Sequence, residues 1–91
     1  EIPIDNQIAF TGEVGVRGNV RPVGGVTAKI DAAIRAGVKK VYIPKANYQS
    51  YYATYSLEVI PILHVNEMLE DVFLRNAPLV YTNSLITSVN G

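Results

Sequence analysis

The chain has no cysteine and a single histidine, His64, among its 91 residues. Without cysteine there is neither a disulfide scaffold nor thiolate chemistry. With one histidine, and with the later acids on a polar helix face, metal chemistry has no ligand set. No apolar run approaches the ~20 residues that span a bilayer, and the first residues do not read as a signal peptide. Neither sign of charge is in excess: eight basic and eight acidic residues balance, unlike the one-sided composition that keeps chains disordered. What remains is a globular composition, 48% hydrophobic, suited to one small domain or a piece of a larger one with a thin core. The expectation is a cytoplasmic protein.

The charges are sorted along the chain. Arg17, Arg21, Lys29, Arg35, Lys39, Lys40 and Lys45 face the single acid Asp31 between Val14 and Asn47, while Glu58, Glu67, Glu70 and Asp71 follow. A basic stretch of this kind serves nucleic-acid binding when aromatics interleave with it. Only Tyr42 falls among these basic residues, so the stretch reads as a solvated surface, and no nucleic acid is expected.

Apolar periodicity places the elements. Ile8 to Thr11 is a short strand candidate, and Val14 to Arg17 with Val20 to Val23 forms a hairpin around Gly18-Asn19, Pro22 lying on an edge. Gly24-Gly25 ends that hairpin. Val26, Ile30, Ala33 and Ile34 then recur at helical spacing, and Gly37 supplies the stop. Val38 to Ile43 is a β-branched strand closed by Pro44, and Leu57 to Ile62 is another, with Pro61 at an edge or strand end. Val65, Met68, Leu69, Val72 and Phe73 give an amphipathic helix. This order predicts an α/β (α+β) fold, a mixed sheet with packed helices. If Val20–Val23 and Val38–Ile43 are parallel neighbours, the helix between them makes a right-handed crossover. Residues 1–76 read as one domain portion and 77–91 as a tail or an added strand.

Few residues can carry chemistry. His64 precedes a helix and reads as part of its start. Ser50, Ser56, Ser84 and Ser88 lack the glycine neighbours of a nucleophile elbow. Gly12, Gly15 and Gly18 match neither a dinucleotide fingerprint nor a P-loop. Lysine is left. A lysine acts as a base once its pKa falls from about 10.4 to roughly 7–8, through burial or the positive end of a helix dipole. Lys29 sits in the first predicted turn after Gly24-Gly25, where the dipole disfavours an ammonium. Lys39, Lys40 and Lys45 lie near the other helix end or in a loop.

Two stretches carry a resemblance that raises Lys29 above a solvated lysine. The run Thr11-Gly12-Glu13 through Arg17-Gly18-Asn19-Val20, then Pro22-Val23-Gly24-Gly25 and Lys29, resembles the signature of the Lon protease family. The continuation from Lys29 through Ala32-Ala33, Ala36-Gly37-Val38-Lys39 and Ile43-Pro44-Lys45-Ala46-Asn47 is similar to the same family's K-x-x-A-A-x-x-A-G-[IV]-K and P-x-x-N pattern. The archaeal and Lon-like branch is the nearest form. The resemblance implies the C-terminal part of a proteolytic domain, a serine endopeptidase with a serine–lysine dyad. It makes Lys29 the general base and Thr11 the threonine that orients its amine. A carboxylate beside the lysine would favour the ammonium, so Glu13 is expected in a structural or subunit-contact role.

The family's serine lies in a P-x-D-G-P-S-A-G-like segment that has no counterpart among these residues and belongs upstream of Glu1. The expectation is therefore a chain that is inactive alone and completed by the missing N-terminal part of its domain. By the same resemblance the substrates are unfolded polypeptides and the assembly is a homo-oligomer, a six-membered ring. No cofactor is expected in the chain itself; ATP and Mg would act through an absent ATPase domain. Tyr48, Tyr51, Tyr52 and Tyr55 stand where relatives carry acids and lysines, either as a subunit or substrate contact or as a loop packed on its own core. The alternative function is a non-catalytic Lon-fold module of the RadA/ComM-like kind with a scaffolding or DNA-related role.

Overall fold

The structure, a computed structural model, describes residues 8–75 and 79–81. Strand β1 (Ile8–Phe10) leads into a ribbon of β2 (Glu13–Val14) and β3 (Val20–Arg21), followed by helix α1 (Val26–Arg35) and strand β4 (Lys40–Pro44). Two 3-10 turns, Lys45–Asn47 and Ser50–Thr54, precede β5 (Glu58–Ile62), α2 (Asn66–Arg75) and β6 (Leu79–Tyr81). The four-stranded sheet runs β5-β4-β1-β6 and all its pairings are parallel. β2 and β3 form a separate antiparallel pair. The α/β class thus holds, with parallel and antiparallel pairings segregated into two sheets.

Period-two alternation gives the sheet two apolar faces, as a parallel sheet requires. Ala9, Val41 and Ile43 point to one face and form a core with Val26, Ile30 and Ala33 of α1, joined by Val38, Tyr52 and Leu57. Ile8, Phe10 and Tyr42 point to the other, where Val14 and Val20 of the ribbon and Met68 of α2 cover them. Covering both faces leaves Ala9, Val41 and Ile43 with no solvent exposure.

The hairpin strands are shorter than expected, and β3 is not the parallel neighbour of β4. Pro22 has no N–H and cannot continue a ladder, so β3 stops at Arg21. The chain between β2 and β3 is turned by Gly18 N–H to the Gly15 carbonyl at 2.9 Å and Gly15 N–H to the Asn19 carbonyl at 3.0 Å. β4 pairs instead with β1 and β5, so the crossover that contains α1 starts from β1. The remaining elements fall close to the sequence expectations. Gly37, past the end of α1, has φ +83°, the left-handed stop that glycine accommodates. β5, which contains Pro61, lies at the sheet edge. Of the stretch 77–91, residues 79–81 pair with β1 as β6; the rest, with Ser84 and Ser88, lies outside the described residues, as do Glu1 to Gln7.

Candidate active site

Helix α1 starts from Gly25, whose φ of 69° and ψ of 25° put it in the left-handed region where a side chain is strained. No side chain caps the helix start. Val26 anchors the first residue in the core at 5% exposure, and the helical ladder begins with Lys29 N–H donating to the Gly25 carbonyl at 3.1 Å. Lys29 is the fourth residue of the helix and half-buried. Its Nζ folds back and donates to the Gly24 carbonyl at 3.1 Å. The amine is thereby held at the helix start by the turn that begins the helix.

Upstream of the diglycine, Val23 is clamped by a side chain from the 3-10 turn that follows β4. Asn47 Oδ1 accepts the Val23 N–H at 2.9 Å, and Asn47 Nδ2 donates to the Val23 carbonyl at 2.9 Å. Both polar groups of one backbone residue are satisfied by one amide, as a neighbouring strand would satisfy them. Asn47 closes the 3-10 turn that follows β4, so the clamp ties the diglycine segment to the sheet.

Thr11 lies one residue beyond β1, with no solvent exposure. Its N–H donates to the Tyr42 carbonyl at 3.1 Å, extending the β1–β4 ladder. The hydrogen bond from the Lys29 amine runs to Gly24 rather than to Thr11. Glu13, half-buried in β2, lies opposite Arg21 in the ribbon.

The tyrosine segment divides. Tyr52 is 2% exposed and belongs to the α1-side core, with Tyr48 and Tyr55 packed against it. Its ring meets those of Tyr48, Tyr51 and Tyr55 at centroid distances of 5.8, 4.9 and 5.3 Å, all edge-on, the favoured aromatic geometry. The Tyr52 hydroxyl shares a 2.7 Å hydrogen bond with Thr27 Oγ1 in the first turn of α1. Burial pushes the Tyr52 hydroxyl above the ordinary tyrosine range, against the Thr27 bond, which lowers it. Tyr55 is raised as well, by desolvation and then by the Asp31 carboxylate. Of the two readings of this segment, packing on its own core accounts for three of these rings; Tyr51, 51% exposed, is the one left facing outward.

His64 belongs to the start of α2, as expected, its Nδ1 accepting the Asn66 N–H at 3.1 Å. Among the described residues no three His, Cys, Asp or Glu side chains gather to hold a cation, and no helix there is long and apolar enough to cross a membrane. The Asn47 clamp on Val23 was not anticipated from the sequence. Its signal was the last position of the Ile43-Pro44-Lys45-Ala46-Asn47 run, present but without an assigned role.

Lys29 at the start of α1, with the diglycine turn before it, thus stands on a parallel-sheet α/β frame. The sequence profile of the Lon protease (S16) C-terminal proteolytic domain matches residues 1–75, and the chain belongs to that family. It is 50% identical to an archaeal Lon protease of Pyrococcus abyssi over 77% of its own length and 7% of that protein. It is 51% identical to an archaeal Lon protease of Archaeoglobus fulgidus over 78% of its own length and 12% of the relative. With a Lon protease of Azorhizobium caulinodans it shares 36% identity over 94% of its own length and 11% of the relative. The chain thus spans only about a tenth of the length of these relatives.

Proposed function

We propose that this chain is the lysine-bearing part of a Lon-type serine endopeptidase, with Lys29 as general base. The observation that carries the reading is the Lys29 amine, drawn back to the Gly24 carbonyl at the start of α1 instead of extending into solvent. The neutral amine takes the proton of a serine hydroxyl as that oxygen bonds to the scissile carbonyl carbon. The ammonium then returns the proton to the leaving amine as the C–N bond breaks. In the second half, water gives its proton to Lys29, attacks the acyl carbon, and the serine leaves with the proton restored. The serine is that of the family's G-P-S-A-G-like segment, which is not among these residues. Thr11 directs the amine toward it in the reacting arrangement, since a four-carbon stem needs an orienting partner.

The wider setting rests on family membership. Unfolded polypeptide as substrate, a hexameric ring, ATP and Mg acting through a separate ATPase domain, and a cytoplasmic location all fit a Lon protease. The scaffolding alternative has no observation in its favour, since it gives Lys29 and the diglycine no task.

Replacing Lys29 by alanine in the complete protein tests the assignment. Peptide hydrolysis disappears while folding and assembly persist, and Lys29→Arg is equally inactive, because a guanidinium does not deprotonate in proteins. Near-normal turnover in Lys29→Ala would sink the base assignment.

A further inference from the structure

We propose that Asn47 is a positioning residue for Lys29: by clamping Val23 it fixes the diglycine turn whose Gly24 carbonyl holds the lysine amine. This rests on the reading of Lys29 as the base. Four observations lead to it. The Asn47 amide satisfies both backbone polar groups of Val23 at 2.9 Å, across 24 residues of sequence. Asn47 itself sits three residues from the buried Pro44 at the end of β4, so its frame is the sheet. Gly24 and Gly25 are exposed, and nothing lies within 4 Å of where their β-carbons would be. The Gly24 carbonyl accepts Lys29 Nζ at 3.1 Å.

The β-carbon side of both glycines is therefore open, and glycine has the widest backbone freedom of any residue. The turn is anchored at its two ends, by the Asn47 clamp before it and by α1 after it, where Val26 is buried and the Lys29 amide bonds to the Gly25 carbonyl. The end after the turn fixes the Lys29 backbone. The end before it fixes the carbonyl that receives the amine. Cut the clamp, and Val23 loses both partners while the Gly24 carbonyl moves with the freed segment. The lysine stem has enough rotamers to follow it, and the amine leaves the reacting geometry while the helix stays in place. Displacements of about 1 Å in a reacting group reduce turnover by up to roughly 100-fold.

The test measures steady-state peptide hydrolysis and amide hydrogen exchange in the complete, assembled protein. Three variants are compared: Asn47→Ala, Lys29→Ala, and Tyr42→Phe as a control that loses a hydrogen bond on the opposite face of the sheet. Asn47→Ala is expected to lower kcat by about tenfold to 100-fold with KM changed less than about twofold. Exchange quickens from Val23 to Lys29 and stays slow in β4. Tyr42→Phe keeps its kcat. An inactive Lys29→Ala with a normal kcat in Asn47→Ala overturns the positioning role and leaves the base assignment standing. Equal kcat losses in Asn47→Ala and Tyr42→Phe, at matched stability, also overturn it, because the effect is then general destabilisation. Normal turnover in Lys29→Ala removes the base assignment and the proposal with it.

Discussion

His64 joins the ribbon to helix α2 through both ring nitrogens. Nε2 donates to the Arg17 carbonyl at 2.7 Å, and Nδ1 accepts the Asn66 amide at 3.1 Å. A carbonyl only accepts and an amide N–H only donates, so the ring proton is assigned to Nε2. The surrounding backbone is bonded in the same place: Val65 N–H reaches the Gly18 carbonyl at 2.9 Å, and Val20 N–H reaches the Leu63 carbonyl at 2.8 Å. Glu67 Oε2 takes the amides of Leu63 and His64 at 2.9 and 2.8 Å, completing the helix start in the manner of a capping box. The ribbon that continues from Thr11 is thus fixed to α2 by a histidine acting as an N-terminal cap.

His64→Ala removes one cap and one cross-link, and should lower stability by about 1–2 kcal/mol. Gly18→Ala should cost more. Gly18 has φ +88°, and a β-carbon there would lie 2.6 Å from His64 Cε1. The left-handed backbone alone accounts for about 1–2 kcal/mol. The collision vanishes once the ring is gone, so the double variant should cost about 1 kcal/mol less than the sum of the two single variants. Strict additivity in chemical denaturation would show that ring and glycine are not in contact.

Asp71 of α2 receives Lys40 Nζ at 2.8 Å and the Tyr42 hydroxyl on the same oxygen. The Lys40 and Asp71 side chains are 14% and 18% exposed, shielded enough for the ion pair to matter beyond the usual surface value. Asp71→Ala strands the Lys40 ammonium at the sheet and should destabilise the domain by about 2–4 kcal/mol. Tyr42→Phe, which leaves the ion pair intact, should cost about 1 kcal/mol. Equal unfolding midpoints for the two variants would contradict this ordering.

The tyrosine cluster sets an alkaline limit. Burial first, and then the neighbouring Tyr51 and Asp31 charges, raise Tyr52 in the folded chain, while unfolded tyrosine titrates near 10. Between those two values the unfolded chain has released a proton that the native chain retains. The associated stability is fully present below about pH 10 and is lost as pH rises through the folded value. Tyr55 acts in the same direction. Chemical unfolding from neutral to alkaline pH should show a falling stability whose slope is shallower in Tyr52→Phe. An identical slope would assign the alkaline loss to other groups.

Local patterns made much of the fold legible. The β-branched Val38–Ile43 run, the apolar period of α2 and Gly37 as a helix stop each declare themselves within a few residues. What stayed hidden depends on distant partners. Nothing in Ile8-Ala9-Phe10 tells that β1 lies between β4 and β6, because a parallel strand meets its neighbours only through crossovers. Whether Val20–Val23 and Val38–Ile43 are parallel neighbours was undecided in the sequence for the same reason: β3 ends at Arg21, and β4 pairs with β1 and β5. At the site, Lys29 was visible from its place at a helix start and from the family pattern. Asn47 was not, since an amide bonded to a backbone 24 residues away leaves no periodic trace.

Thr11 offers the sharpest separation of structure from chemistry. Its side chain has no solvent exposure, and every buried side-chain polar atom among the described residues has a partner, so its hydroxyl is hydrogen-bonded inside the domain. Thr11→Val keeps the shape, removes the hydroxyl, and should cost about 1–3 kcal/mol by leaving that partner unsatisfied. Thr11→Ser keeps the hydroxyl and loses one methyl group, worth about 1 kcal/mol. If the hydroxyl also orients Lys29 during the reaction, kcat in the complete protein should fall about tenfold or more in Thr11→Val and stay near normal in Thr11→Ser. Turnover per folded protomer, measured well below the unfolding temperature of both variants, separates the two effects. A Thr11→Val protein with reduced stability and unchanged kcat would confine Thr11 to the β1–β4 ladder and leave the lysine to be directed by Gly24 and Asn47 alone.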